Sequence, residues 1–404
     1  MEQTASAGDA STAKQAAAGR NQAALRAMAS GDLAGAETAL SEAVSLDATS
    51  ISAWLNLAVV RRQRKDLEAA FAAIQNVLTL DPRNFPALLM SATMLESMGQ
   101  GVPAALAYGR ALANAPPDQS LDPPTLKAVA RGRVVHGAYT RQLGEHIRGQ
   151  VAESESRCTA AERRRLEAFI DTTLRVRRRF RQEPTEYYYP GLPAIEFYER
   201  DEFPWLPEFE SATAAIGQEV VDILREEEGG FTPYIHYAEH MPLDQWRGLN
   251  NSRRWSAYHF FDHGNPIEDR CRRAPATIAA ASRLPQAVVA RRSPCAMYSA
   301  LAPRTRIPPH NGVANFRLVV HLPLLVPPGC RFRVGGEVRE WRVGHAWVFD
   351  DTIEHEAWND SDEPRYILIC DVWSPRLSPE ERTAIAGIIA ATDAFNGTDP
   401  AAHV

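Results

Sequence analysis

Small side chains return every 34 residues in the first third of this chain, and that recurrence constrains the fold more than any other feature. Ala36, Ala70 and Ala104 stand 34 apart, followed four positions later by Leu40, Ile74 and Tyr108, and three beyond those by Ala43, Val77 and Ala111. Pro82 and Pro116 share one phase, with Ala48 in the first copy, and Trp54, Leu57 and Ala58 give the middle copy a large-then-small pattern. The registers begin near Ala17, Ile51 and Phe85. A period of this length marks paired helices that stack as repeats. The alanines let two helices approach closely, and each pair hides its apolar face on the next.

These positions resemble the tetratricopeptide repeat, which implies an all-α array over 17–118. Its concave face would present first-helix side chains such as Asn56, Arg61 and Met90 to a peptide or protein. Residues 1–16 are expected to be disordered. Pro123 and Pro124 interrupt the repeat, and 119–184 read as a helical cap or linker with helices over Thr125–Gln150 and Thr159–Arg181. Thr159 and Glu162 form a capping-box signal ahead of the basic run Arg163–Arg181, so that run reads as a solvated helix face.

At 404 residues the chain calls for two domains. Hydrophobic content of 45%, charged content of 23% and a formal charge of −6 describe a globular protein with no basic footprint for nucleic acid. No apolar run approaches the roughly 18 residues of a membrane span, and the N-terminus lacks a secretory pattern. Five cysteines without CxxC spacing suit free thiols in a reducing compartment. The expectation is a cytoplasmic protein without a membrane partner.

After Gln182 the composition changes. Tyr187 to Leu192 is aromatic and turn-rich, and a helix is expected from about Glu208 to Glu226. From Cys295 onward short apolar runs alternate with Pro and Gly turns: Ala296–Leu301, Arg317–Val326, Arg331–Val334, Glu337–Trp341, Ala346–Phe349 and Arg365–Val372. Strands so spaced predict a double-sheet jelly roll over 185–380, with a C-terminal helix and tail over 381–404.

Among these strands sit His310, His321, His345 and His355. Jelly-roll Fe(II) oxygenases hold their metal by two histidines and one carboxylate, leaving positions for 2-oxoglutarate and O₂. His310 and His355 suit the pair, and Arg365, ten residues after His355, suits the far carboxylate of 2-oxoglutarate. The usual His-x-Asp/Glu is absent, since His310-Asn311-Gly312 places glycine where the third ligand belongs. Asp350 and Asp351 read as a turn before the histidine strand, with a bond to a ring N–H as a further role; His345 reads as exposed, and Trp358 and Trp373 as core.

His310-Asn311-Gly312, Asn315-Phe316-Arg317, His321-Leu322, Cys330-Arg331-Phe332-Arg333, Phe349-Asp350-Asp351, Glu354-His355-Glu356-Ala357-Trp358, Arg365 and Asp371-Val372-Trp373 together resemble the aspartyl/asparaginyl β-hydroxylase family. The resemblance covers roughly 185–380. It implies a 2-oxoglutarate-dependent dioxygenase with Fe(II) on His310 and His355. It places the far carboxylate of 2-oxoglutarate on Arg365 and Ser299 and its C1 carboxylate near His321. Arg317 becomes a candidate for the substrate's carboxylate, and the reaction becomes β-hydroxylation of an Asp or Asn residue or a related substrate. Val319 stands where the family's animal members carry a further arginine. Two alternatives stay open: a 2-oxoglutarate-dependent halogenase or small-molecule hydroxylase, and a repeat-based adaptor with a non-catalytic barrel.

Overall fold

The computed structural model describes residues 3–226, 230–238, 241 and 243–397. The chain divides into two compact units, Met1–Leu174 and Arg175–Val404.

The first unit contains α1 (Gln3–Ala29), α2 (Leu33–Leu46), α3 (Ile51–Gln63), α4 (Leu67–Leu80), α5 (Phe85–Ser97), α6 (Gly101–Ala113), α7 (Pro123–Ser156) and α8 (Ala160–Thr173). Packing joins α1 to α2, α3 to α4 and α5 to α6. The nine recurring positions of the second helices, from Ala36 to Ala111, are all buried. Polar side chains start the helices: Asp32, Ser50, Asp66 and Asn84 each accept a backbone N–H three residues on. Each helix pair turns through one left-handed residue, and these recur at the same period as Gly31, Lys65 and Gly99.

Several details depart from expectation. Residues from Gln3 onward belong to α1, where abundant alanine favours helix. The helix expected over Thr125–Gln150 runs as α7 to Ser156. The capping box on Thr159 is present, but α8 stops at Thr173, and Arg175 turns left-handed with φ of 58°. Asn56 and Arg61 are engaged inside the array, by Asn21 at 2.8 Å and Glu37 at 3.1 Å.

In the second unit, α9 (Leu206–Ser211) and α10 (Thr213–Glu226) replace the single helix expected from Glu208. Then come β1 (Thr232–Pro233), β2 (Trp255–His259), β3 (Phe261–Asp262), β4 (Asn265–Pro266), α11 (Glu268–Arg273) and α12 (Pro275–Ala281). The strands that follow are β5 (Ala296–Leu301), β6 (Thr305–His310), β7 (Arg317–Leu325), β8 (Cys330–Val334), β9 (Glu337–Glu340), β10 (Trp347–Phe349), β11 (His355–Asn359) and β12 (Arg365–Trp373), with α13 (Pro379–Asn396) last.

One antiparallel sheet has the order β1-β2-β5-β12-β7-β10 and a second the order β6-β11-β8-β9, while β3 and β4 pair separately. From β5 to β12 the chain crosses repeatedly between the two sheets, which is the winding of a jelly roll. Strand parity then divides the side chains. Leu318, Val320, Leu322, Leu368 and Val372 pack under α10 and α12, while Val319 and Ile367 join Leu301, Ile307, Phe332 and Phe349 between the sheets.

The unit boundary lies ahead of the 184/185 division expected from composition, because the intervening residues strap the barrel. Glu183 N–H donates to the Thr352 carbonyl at 2.8 Å, Gln182 Nε2 to Asp350 at 2.6 Å, and Thr185 N–H to the Gly312 carbonyl at 2.9 Å.

Lys65 holds with φ of 67° the turn that glycine makes in the neighbouring copies. A left-handed non-glycine residue is strained, so Lys65→Gly is expected to stabilise the protein by about 0.5–1 kcal/mol in urea unfolding. No gain would show that the turn carries no strain.

Candidate active site

His355 of β11 lies directly across from His310 of β6, and their rings are 4.0 Å apart. This pairing depends on an irregularity in the ladder. Ala357 pairs with Ile307, so β11 advances two residues while β6 advances three, through Pro308 and Pro309. The extra residue re-aims the side chain, which is what a bulge beside a site does. His310, Ile307, His355 and Ala357 all line one cavity of about 300 Å³.

Both imidazoles are held by their Nδ1 atoms. His310 Nδ1 meets the Pro308 carbonyl at 2.8 Å, and His355 Nδ1 meets the Ile353 carbonyl at 3.1 Å. A carbonyl can only accept, so each Nδ1 carries the proton and each Nε2 keeps its lone pair for a ligand. Backbone carbonyls thus fill the role considered for Asp350 or Asp351. Burial depresses the His310 pKa to about 3 and that of His355 to about 4, so both rings are neutral at ordinary pH.

Arg365 is fully buried, at 1% exposure, and lines the same cavity. Its Nη1 lies 3.4 Å from the Ser299 carbonyl and 3.5 Å from Ser299 Oγ, its guanidinium sits 4.8 Å over the Trp341 ring, and its Nε has no partner. Among the described residues no carboxylate pairs with it. Burial lowers its pKa to about 10. Ser299 Oγ accepts from Trp255 Nε1 at 3.3 Å, which fixes the hydroxyl beside the guanidinium. His321 is buried on β7 with Nδ1 unsatisfied, and burial followed by Arg365 pushes its pKa well down.

Arg317, the candidate for a substrate carboxylate, is paired within the protein: Asp351 Oδ2 accepts from its Nη2 at 3.2 Å. Burial opposes the arginine's charge, but Asp351 and Asp371 together raise its pKa. Burial moves the Asp371 carboxyl up to about 6.

Asp351 is the residue sequence reasoning undervalued. A Cβ built on Gly312 would lie 2.1 Å from Asp351 Oδ2, so this carboxylate occupies the space that a side chain at 312 would fill. Its Oδ1 is buried without a partner. Asp350 does form the expected turn, accepting from Thr352 N–H at 2.9 Å. Trp255 and Trp341 were also missed, since neither lies in the quoted motifs. Trp373 is core and His345 is exposed, as expected. Trp358 is only half-buried, between the guanidiniums of Arg306 and Arg331.

Two imidazoles with their Nε2 atoms unprotonated share one cavity with a buried arginine that has no carboxylate partner among the described residues. Among the described residues no three His, Cys, Asp or Glu side chains gather as a metal group. Residues 210–375 match the family model described as Aspartyl/Asparaginyl beta-hydroxylase. The mouse aspartyl/asparaginyl beta-hydroxylase is 36% identical over 149 residues, which are 37% of this chain and 20% of that protein. The ornithine lipid ester-linked acyl 2-hydroxylase of Rhizobium tropici is 32% identical over 193 residues, 47% of this chain and 63% of that protein. The chain therefore spans about a fifth of the first relative and less than two thirds of the second. Of solved structures, the Arabidopsis OM64 TPR domain is 17% identical with a TM-score of 0.27, covering 31% of this chain and 98% of that one. Among the described residues no helix is long and apolar enough to cross a membrane, and all five cysteines are free.

Two predictions follow from the packing and the charges. Gly312→Asp is expected to disrupt the site instead of completing a triad, with a stability loss of about 1–3 kcal/mol from the collision with Asp351. Adding Asp351→Gly should recover much of that loss in urea unfolding; a single variant as stable as the parent would refute the collision. The depressed histidines set a pH dependence. Their stabilising effect is complete above the unfolded value near 6.5 and is lost as pH falls toward their folded values. Stability of the metal-free protein should decline between pH 6.5 and 4 by about 1.4 kcal/mol per pH unit and histidine; a flat profile would contradict it.

Proposed function

We propose that this chain is an Fe(II)- and 2-oxoglutarate-dependent hydroxylase whose metal is held by Nε2 of His310 and His355. The observation that carries the reading is Arg365, a buried cation in the histidines' own cavity with no counter-ion among the described residues. An uncompensated buried charge costs several kcal/mol, and a ligand carboxylate removes that penalty. Arg365 and Ser299 would hold the far carboxylate of 2-oxoglutarate, with the His321 ring near its C1 carboxylate. When bound, Fe(II) supplies the coupled oxidation in which O₂ converts 2-oxoglutarate to succinate and CO₂ and one oxygen atom enters a substrate C–H bond. Trp255 steadies the serine hydroxyl, Trp341 covers the guanidinium, and the apolar lining keeps the reaction away from bulk water.

The family points to the β-carbon of an Asp or Asn residue, in a peptide or protein that the repeat unit would grip. A second reading, hydroxylation of an aliphatic carbon, is favoured by the engagement of Arg317 with Asp351 and by the acyl 2-hydroxylase relative. Halogenation is disfavoured, because the Asp351 carboxylate fills the space beside Gly312 that a halide would need.

Anaerobic titration tests the assignment. Arg365→Ala is expected to weaken 2-oxoglutarate binding well over tenfold, the worth of a charge-assisted contact of about 1.5–3 kcal/mol. His310→Ala is expected to lose metal. Unchanged 2-oxoglutarate affinity in Arg365→Ala would sink the cosubstrate assignment.

A further inference from the structure

The cavity has a second wall that the hydroxylation chemistry does not use. Val289, Ala314, Phe316 and Ile389 line it and form an apolar cluster separate from the one between the sheets. This wall is built partly outside the family-matched segment: Ile389 comes from α13, beyond residue 375, and Tyr187 from the strap ahead of residue 210. Arg292 ties the two outlying pieces together. Its Nη1 meets Glu186 at 3.1 Å, while Nε and Nη2 meet Asp393 of α13 at 3.2 and 2.9 Å.

The charges around this wall are answered within the protein. Arg292 has two acidic partners, Arg317 has Asp351, Arg291 is also engaged, and an oxygen of Asp371 accepts from the Cys295 N–H at 2.9 Å. Among the described residues a substrate carboxylate would find no spare cation here. A peptide backbone would bring N–H and C=O groups that need partners when buried. A hydrocarbon segment needs none.

We propose that the wall formed by Val289, Ala314, Phe316 and Ile389 is a binding subsite for an uncharged alkyl segment, an acyl-type chain, of the substrate. It rests on the hydroxylase reading only in taking the hydroxylated carbon to belong to the same molecule. α13 is then a specificity element of this chain, and Arg292 is a positioning residue that holds it against the strap.

The test is binding of hexanamide and octanamide to the full chain, followed by tryptophan fluorescence, beside a blocked asparagine peptide. Burial in an apolar wall predicts a gain of roughly threefold to fourfold per methylene, so octanamide should bind about tenfold more tightly than hexanamide. Ile389→Ala should weaken octanamide binding by about tenfold, and Ile389→Trp, which fills the space, should abolish the length dependence. Far-ultraviolet circular dichroism and 2-oxoglutarate binding of each variant report whether the domain is still formed; if Ile389→Trp fails to fold, Val289→Ala, with an expected loss of a few-fold, replaces it. Equal affinities for the two amides, unaltered binding in folded Ile389→Ala, or binding of the peptide alone would overturn the subsite. Length-dependent binding without succinate formation would count against the hydroxylase reading and uphold the subsite. Succinate formation with length-independent binding would do the reverse.

Discussion

The bulge that sets three residues of β6 against two of β11 is the constraint on which the site depends. Without the additional residue supplied by Pro308 and Pro309, strand parity would not bring His310 into register with His355 as well as Ile307 with Ala357. Proline suits the position because it donates no ladder hydrogen bond. The carbonyl of Pro308 takes up His310 Nδ1, so one irregular turn of chain fixes both the direction of the ring and its tautomer.

Around that pair the domain separates charges by purpose. Arg317, Asp351 and Asp371 satisfy one another in part, and Arg292 binds the strap to α13. Arg365, by contrast, has no carboxylate partner among the described residues and meets an aromatic ring and, at long distance, Ser299. Desolvation without a carboxylate partner costs this arginine stability, which is the ground for the anion role proposed for it. The apolar wall at Phe316 and Ile389 carries no such charge. The one cavity therefore has a charged end and an apolar wall, set apart by which residues line each.

The strap shows how the jelly roll is closed. Asn315, buried on the loop after His310, accepts from Tyr189 N–H and donates to Gln182 Oε1 and the Tyr189 carbonyl. That one amide joins the segment before the family-matched region to the loop that carries Gly312. In the helical unit the comparable ties are periodic, since the caps and left-handed turns recur with the alanines.

The sequence by itself determined the helical repeat, the strand-rich character of the second half and the candidates His310, His355 and Arg365, because period and motif are local properties of a chain; the strands β2, β6 and β11 are not among the apolar runs legible in it. Parity also placed residues 317, 319 and 321 on one face of β7. What it could not determine was which charges would be answered. Arg317 read as a candidate for a substrate carboxylate and Asp351 as a turn, because their pairing joins residues 34 apart, one on β7 and one in the turn before β11. The wall contributed by Ile389, the Trp341 cover on Arg365 and the carboxylate filling the space at Gly312 were decided by the tertiary structure alone. Each arises from the distance between side chains on different elements, and neither spacing nor composition encodes that distance.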